Sequence, residues 1–312
     1  MIRILVTEPE YFTPESLRMM KRVGRVTAQR MSRKELLNSI ENFDAVVVRI
    51  DTKLDKTILR SAARLKCVVS ATTGLNHIDT GYLKARGIPL FSLHGTHSVP
   101  TAEHAIGLLF SAARKIPAAS AAMSAGGWER WRYIGTEIAG KTLGIIGIGR
   151  IGTQVAKRAR ALGMHVIAYD PYVSGKEVQR RGATKTQLRA LLKSSDFITL
   201  HAPLTPKTEG LIDKKAFRVV KPSVVFINTS RGKIIDESAL IEALSKDRIR
   251  AAAIDVYPEE PLPSKHRLRT YARGHGNLIL TPHIAASTNE AVTRASMFAA
   301  DAVCDFFSGK RP

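Results

Sequence analysis

The feature that most constrains this chain is Gly147-Ile148-Gly149-Arg150-Ile151-Gly152. It follows an apolar run, Leu143–Gly147, and leads into a helical pattern, Thr153–Leu162. Glycine at the first place allows a tight βα turn, and at the second lets backbone approach a pyrophosphate. The third lets helix pack on strand, and the helix N-terminus then faces the phosphates. Asp170 ends the next apolar run, His165–Tyr169. A carboxylate there accepts hydrogen bonds from an adenosine ribose and repels a 2′-phosphate, so the sequence predicts NAD rather than NADP. The cofactor candidates from this unit are Gly147, Gly149, Arg150, Ile151, Gly152 and Asp170.

The rest of the chain keeps the same rhythm. Strand candidates are Ile2–Val6, Ala45–Val48, Cys67–Ser70, Leu143–Gly147, His165–Tyr169, Phe197–Leu200, Val224–Asn228, Ala252–Val256 and Leu278–Leu280. Most are near-continuously apolar, as parallel strands covered on both faces are. Helical patterns lie between them at Pro14–Val23, Lys34–Ser39, Thr153–Leu162, Lys185–Lys193, Lys214–Val219 and Glu237–Ser245. The alternation predicts an α/β protein with doubly wound parallel sheets. Two longer helices interrupt it. Val99–Arg114 has Ser98 placed as its N-cap and Pro100 in its first turn, and Ser287–Phe307 follows the last strand. They are expected to cross between two domains, returning the C-terminal segment to the first.

Composition narrows the function classes. The 312 residues suit about two domains, and 44% hydrophobic with 24% charged residues excludes a disordered or fibrous chain. The longest apolar stretch, Ala102–Ala113, is broken by Glu103 and His104 and is too short to span a membrane. The N-terminus lacks a signal-peptide pattern, and Cys67 and Cys304 make no disulfide framework, so a reduced, cytoplasmic protein is expected. The formal charge is +21. It is spread along the chain, with no run of like charges and no aromatics interleaved with the basic residues. That pattern predicts a basic surface favouring small anions, with neither nucleic acid nor membrane as partner.

Four further segments each begin at the C-terminal end of a strand candidate, the edge where open α/β sheets bind ligands. They are His201–Thr208, Asn228–Gly232, Asp255–Pro261 and Thr281–Ala285. They bring an arginine, a carboxylate and a histidine to one edge beside the dinucleotide motif. In order and spacing, Gly147–Gly152, His201-Ala202-Pro203, Asn228-Thr229-Ser230-Arg231-Gly232, Asp255-Val256 with Glu260-Pro261, and Pro282-His283-Ile284 resemble the D-isomer-specific 2-hydroxyacid dehydrogenase family over essentially the whole chain.

The resemblance implies a Rossmann NAD-binding domain, residues 99–285, inserted into a flavodoxin-like substrate domain, residues 1–98 completed by 286–312. It implies catalytic roles for Arg231, Glu260 and His283. It adds Thr101, His201, Pro203, Thr208, Thr229 and Asp255 as cofactor contacts, with Asp255 near the nicotinamide carboxamide. The loop Ala71–Asn76 looks like the family's carboxylate-binding loop, giving Thr73, Gly74 and Leu75 as substrate contacts beside Arg49 and Arg231. A homodimer is implied, with its contact sought near Val99–Arg114. Two positions depart from relatives: Thr101 stands where many have valine, and Ser70 where phosphoglycerate members often carry arginine. Arg49 does resemble another arginine of that subfamily, and no regulatory domain is expected after the C-terminal helix.

The chemistry fits these residue types. Hydride transfer to or from C2 requires the C2 oxygen to gain or lose a proton, which an imidazole does near neutral pH. A carboxylate such as Glu260 favours the imidazolium and holds its tautomer. An arginine such as Arg231 binds a 2-oxo acid through a forked contact and polarises its carbonyl. His94, His97 and His104 hint at a metal, but no cysteine or carboxylate set completes a site, so none is expected. The expected function is reversible hydride exchange between NAD(H) and a small 2-oxo or 2-hydroxy acid of the 3-phosphoglycerate, hydroxypyruvate or glyoxylate class. The alternative keeps the fold as an NAD(H)-sensing binding protein, as in the family's corepressor branch.

Overall fold

Ala45–Val48 and Cys67–Ser70 are buried at every residue, as strands covered on both faces must be. The computed structural model describes residues 1–93, 95 and 97–310 and divides into two units, Met1–His97 with Ser287–Pro312, and Ser98–Ala286.

The first unit holds five parallel strands: β1 (Arg3–Val6), β2 (Arg25–Ala28), β3 (Ala45–Val48), β4 (Cys67–Ser70) and β5 (Leu90–Ser92). Their order, β2-β1-β3-β4-β5, is the flavodoxin-like one. The helix Asn289–Phe307 packs against the helix Pro14–Lys21 and β4. Ala291, Ala295, Ala299 and Val303 are buried, one residue per turn along a single stripe. Thr288 caps this helix, its hydroxyl accepting the N–H of Ala291 at 3.2 Å.

The second unit holds seven parallel strands: β6 (Thr142–Ile146), β7 (His165–Tyr169), β8 (Thr184–Lys185), β9 (Phe197–Leu200), β10 (Val225–Asn228), β11 (Ala251–Ile254) and β12 (Leu278–Leu280). The order β12-β11-β10-β9-β6-β7-β8 reverses direction between β6 and β9, where a Rossmann sheet opens its ligand crevice.

The long apolar helix runs Ser98–Ala113 and lies wholly within the second unit, against the helix Arg150–Ala161 and strands β10 and β11. Ser98 is its first helical residue rather than its N-cap. Ala102, Ala105, Leu108, Leu109 and Ala112 are buried, so its apolar stripe is spent on the unit's own core. Just beyond it, Ile116, Met123, Trp128, Trp131 and Ile134 leave large apolar side chains exposed within one segment. The helix Ile116–Ser124 buries no residue, and Trp128, Trp131 and Ile134 are at least 70% exposed.

Three strands have no counterpart among the apolar runs. All three lie at sheet edges, β2 and β8 of mixed composition and β5 only half-buried. An edge strand packs on one side and tolerates Arg25 or Lys185 facing solvent. Lys185 therefore belongs to β8, paired with Ala168, and the helix expected at Lys185–Lys193 starts at Leu188. Among the described residues no helix is long and apolar enough to cross a membrane. Both cysteines are free.

Candidate active site

The glycine turn has the shape its chemistry needs. Gly147 adopts φ +90°, and a Cβ there would stand 2.6 Å from the backbone nitrogen of Ala202. A Cβ on Gly152 would stand 2.3 Å from the carbonyl oxygen of Gly147. Gly149 is different, for nothing lies within 4 Å of where its Cβ would be. That open space sits at the N-terminus of Arg150–Ala161, which no side chain caps, so the first-turn N–H groups at Arg150 and Ile151 are available to an anion. Asp170 is fixed beside the turn, Oδ2 accepting the N–H of Ile148 at 3.1 Å and Oδ1 that of Tyr172 at 3.0 Å. Thr229, just past β10, is buried with an orphaned hydroxyl. A bare helix terminus, an open cradle, a fixed carboxylate and an unpartnered hydroxyl together fit a dinucleotide.

Arg231, Glu260 and His283 stand on three loops at the same edge of this sheet. His283 Nδ1 lies 2.6 Å from Glu260 Oε2, and Glu260 Oε1 accepts the N–H of Tyr257 at 2.9 Å. Glu260 therefore orients the imidazole and is itself held by backbone. His283 sits at φ +54°, a left-handed conformation that costs a non-glycine residue about 1–3 kcal/mol unless its surroundings impose it. They do. Asp255, fully buried, takes the N–H groups of Ile284 at 3.0 Å and Ala285 at 2.9 Å, and the hydroxyl of Thr281 at 2.6 Å. His104 Nε2 adds a contact 3.4 Å from Asp255 Oδ1. Burial pushes the Asp255 carboxyl up, but the hydrogen bonds from His104, Thr281 and Ile284 outweigh it and hold the group below its ordinary value.

Arg231 emerges from a turn built by Asn228, whose side chain accepts from Ser230 N–H and donates to the Arg231 carbonyl, both at 3.0 Å. Burial lowers the guanidinium from its ordinary range, and Glu260 opposes this from within electrostatic reach. Gly232 makes the juxtaposition possible. A Cβ there would lie 2.1 Å from the carbonyl carbon of Tyr257. Gly232→Ala is thus expected to push the arginine turn away from the Tyr257–Glu260 loop. It should cost about 1–3 kcal/mol of stability, read as a lower midpoint in denaturant, and lower activity further than the unfolded fraction explains.

The remaining candidates are placed as follows. His201 follows β9 with Nε2 2.9 Å from the Thr199 hydroxyl and Nδ1 buried without a partner. Burial lowers it to about 3, so it is a neutral imidazole. Pro203 is exposed, and Thr208 folds the loop around it, donating to the Pro203 carbonyl at 2.6 Å and accepting from Thr205 N–H at 2.8 Å. Thr101 is buried in the first turn of Ser98–Ala113. In the first unit Thr73, Gly74 and Leu75 follow β4 in a loop pinned by Thr72, whose hydroxyl donates to the Gly74 carbonyl at 3.0 Å. Arg49 is 6% exposed, lies 4.3 Å over the Tyr11 ring, and leaves Nε and Nη1 without partners.

Several supporting residues carry no motif of their own. Glu8, 1% exposed, accepts from the N–H groups of Arg49, Asp51 and Thr52 and so shapes the Arg49 loop. Asn228 does the same for the Arg231 turn, and Tyr257, Thr281 and His104 for the surroundings of His283. Among the described residues no three metal-ligating side chains come together, and His94 lies outside those residues.

Residues 106–285 match the family model described as D-isomer specific 2-hydroxyacid dehydrogenase, NAD binding domain. The chain therefore belongs to the D-isomer specific 2-hydroxyacid dehydrogenase family, and its second unit carries that family's NAD-binding domain. Over 310 residues it is 40% identical to a D-3-phosphoglycerate dehydrogenase of Archaeoglobus fulgidus, covering 99% of this chain and 58% of that one. The chain thus spans well under two thirds of that relative's length. Its fold is similar to D-lactate dehydrogenase from Aquifex aeolicus complexed with NAD and lactic acid, with a TM-score of 0.87 and 26% identity over 98% of this chain and 96% of that one. An NAD-dependent formate dehydrogenase from Staphylococcus aureus, in complex with NAD, gives a TM-score of 0.87 at 26% identity, covering 100% of this chain and 97% of that one.

Proposed function

We propose that this protein is an NAD-dependent oxidoreductase acting on small 2-hydroxy acids and their 2-oxo counterparts, of the 3-phosphoglycerate, hydroxypyruvate or glyoxylate class. The observation that carries this reading is the 2.6 Å contact between His283 and Glu260 beside the Arg231 turn, on the sheet edge that also presents the glycine loop. Bound NAD supplies or accepts the hydride at its nicotinamide ring. With Nδ1–H given to Glu260, His283 keeps Nε2 to exchange a proton with the C2 oxygen. Arg231 binds the 2-oxo-carboxylate and stabilises charge gathering on that oxygen. Asp255 holds the His283 loop through Thr281, Ile284 and Ala285 rather than spending its oxygens freely on cofactor. Thr73, Gly74, Leu75 and Arg49 are proposed to receive the anionic end of the substrate. The D-3-phosphoglycerate dehydrogenase relatives and the buried guanidinium of Arg49 support a phosphorylated acid, and Ser70 argues for a smaller one.

NADH oxidation by purified protein with glyoxylate, hydroxypyruvate and 3-phosphohydroxypyruvate tests the reading. Turnover with at least one is expected. Tight NADH binding with no turnover on any would instead mark a dinucleotide-sensing binding protein.

The protein is further proposed to work as a homodimer in a reduced cytosol. Trp128, Trp131 and Ile134 support the dimer, because exposed side chains of this size in one segment mark an interaction surface. Sedimentation is expected to give twice the chain mass, and a single-chain mass at assay concentration would contradict it.

A further inference from the structure

The glycine turn is braced from outside by charged side chains that take no part in the proposed hydride and proton transfers. Asp170 accepts the N–H of Ile148, and Arg181 donates Nη1–H to the carbonyl of the same residue at 2.6 Å. Arg181 also gives Nε–H to Glu177 Oε1 at 2.7 Å. Arg180 gives Nε–H and Nη2–H to the two oxygens of Glu177 at 2.6 and 2.7 Å. One carboxylate therefore occupies two guanidinium groups, and their hydrogen bonds, Arg180's first, hold it down at about 2. The charges of Asp170, Glu177, Arg180 and Arg181 sum to zero. Removing one carboxylate leaves the cluster at +1, and removing both leaves it at +2.

We propose that Glu177 is a specificity-determining residue for the dinucleotide, withholding Arg180 and Arg181 from a 2′-phosphate. Selection of NAD then rests on two carboxylates, Asp170 by repulsion and Glu177 by keeping the arginines engaged. The proposal rests on the reading that Asp170 faces the adenosine ribose. A guanidinium fork matches a phosphate well, but a carboxylate seated on its Nε–H edge occupies that edge and offsets its charge. Once Glu177 is neutral, the bond from Arg181 to the Ile148 carbonyl still keeps that guanidinium at the loop. The change Glu177→Gln is nearly isosteric. It also preserves the backbone N–H that Ser174 caps at 3.2 Å, so the helix Gly175–Arg180 keeps its start.

Fluorescence titration with NADH and NADPH tests this on wild type, Glu177→Gln, Asp170→Ala and the double variant. Wild type is expected to favour NADH. Glu177→Gln should tighten NADPH about tenfold, the order of one charge-assisted contact, with NADH little changed. The double variant should favour NADPH. Adding Arg181→Gln to Glu177→Gln should remove the gain, and raising salt should erode it by screening. Unchanged NADPH affinity in Glu177→Gln, while wild type binds NADH normally, overturns the proposal alone. So does a gain that survives loss of both Arg180 and Arg181. A wild type that binds neither dinucleotide overturns the cofactor reading and this proposal with it.

Discussion

His283→Ala is expected to lower turnover of the 2-oxo acid by about 10²–10⁴, the usual contribution of a positioned general acid–base, with NADH affinity nearly intact. The separation follows from where the residue sits. Its loop is tied down by backbone N–H groups of Ile284 and Ala285 on buried Asp255, so removing the imidazole leaves the loop fixed. The glycine cradle lies on a different loop, after β6, and does not use His283. Glu260→Gln should act more mildly, because an amide oxygen can still accept from Nδ1–H and hold the imidazole in place. Steady-state kinetics with parallel NADH titration checks both. If His283→Ala kept most of its turnover, the proton would have to come from another group.

Arg231→Lys is expected to lower kcat/KM for every 2-oxo acid by about 10² or more, comparable to removing one preorganised donor from a charge-stabilising site. Lysine keeps the positive charge, but a single ammonium cannot reproduce the planar fork that meets a carboxylate and its neighbouring carbonyl. The native guanidinium already bears the cost of burial, which lowers it from its ordinary range. A lysine in that place is more easily neutralised by the same burial. The loss should appear with phosphorylated and unphosphorylated acids alike. A lysine variant with near-native kcat/KM would mean that charge alone suffices and that Arg231 makes no bidentate contact.

The sequence made the local parts of this arrangement legible. The glycine turn is one, since Gly147, Gly149 and Gly152 act within six residues and their steric demands travel with the motif. The buried strands β3, β4, β9 and β10 are others, because burial on both faces forces continuous apolar runs. What escaped depends on distant partners. Asp255 reads from sequence as a residue near the nicotinamide, yet its oxygens are taken by Thr281, Ile284 and Ala285, 26 to 30 residues later. Glu8 reads as an ordinary acid after β1, and only the fold brings it to the backbone of Arg49, more than 40 residues on. Composition cannot say which core an apolar stripe will join, and Ala102, Ala105, Leu108, Leu109 and Ala112 of the helix Ser98–Ala113 join their own unit's. The exposed side chains that follow it, from Ile116 to Ile134, lie in a segment without helical or strand periodicity strong enough to draw notice.

The account stands on direct hydride transfer to C2 of a 2-oxo acid, and isotope tracing tests that most plainly. Purified protein is given NADH deuterated at C4 of the nicotinamide and a 2-oxo acid of three or more carbons that it turns over. The product is then examined by proton NMR and chiral separation. Deuterium at C2 of the D-hydroxy acid is the predicted result. An L-product, or a product carrying solvent hydrogen at C2, would contradict the account.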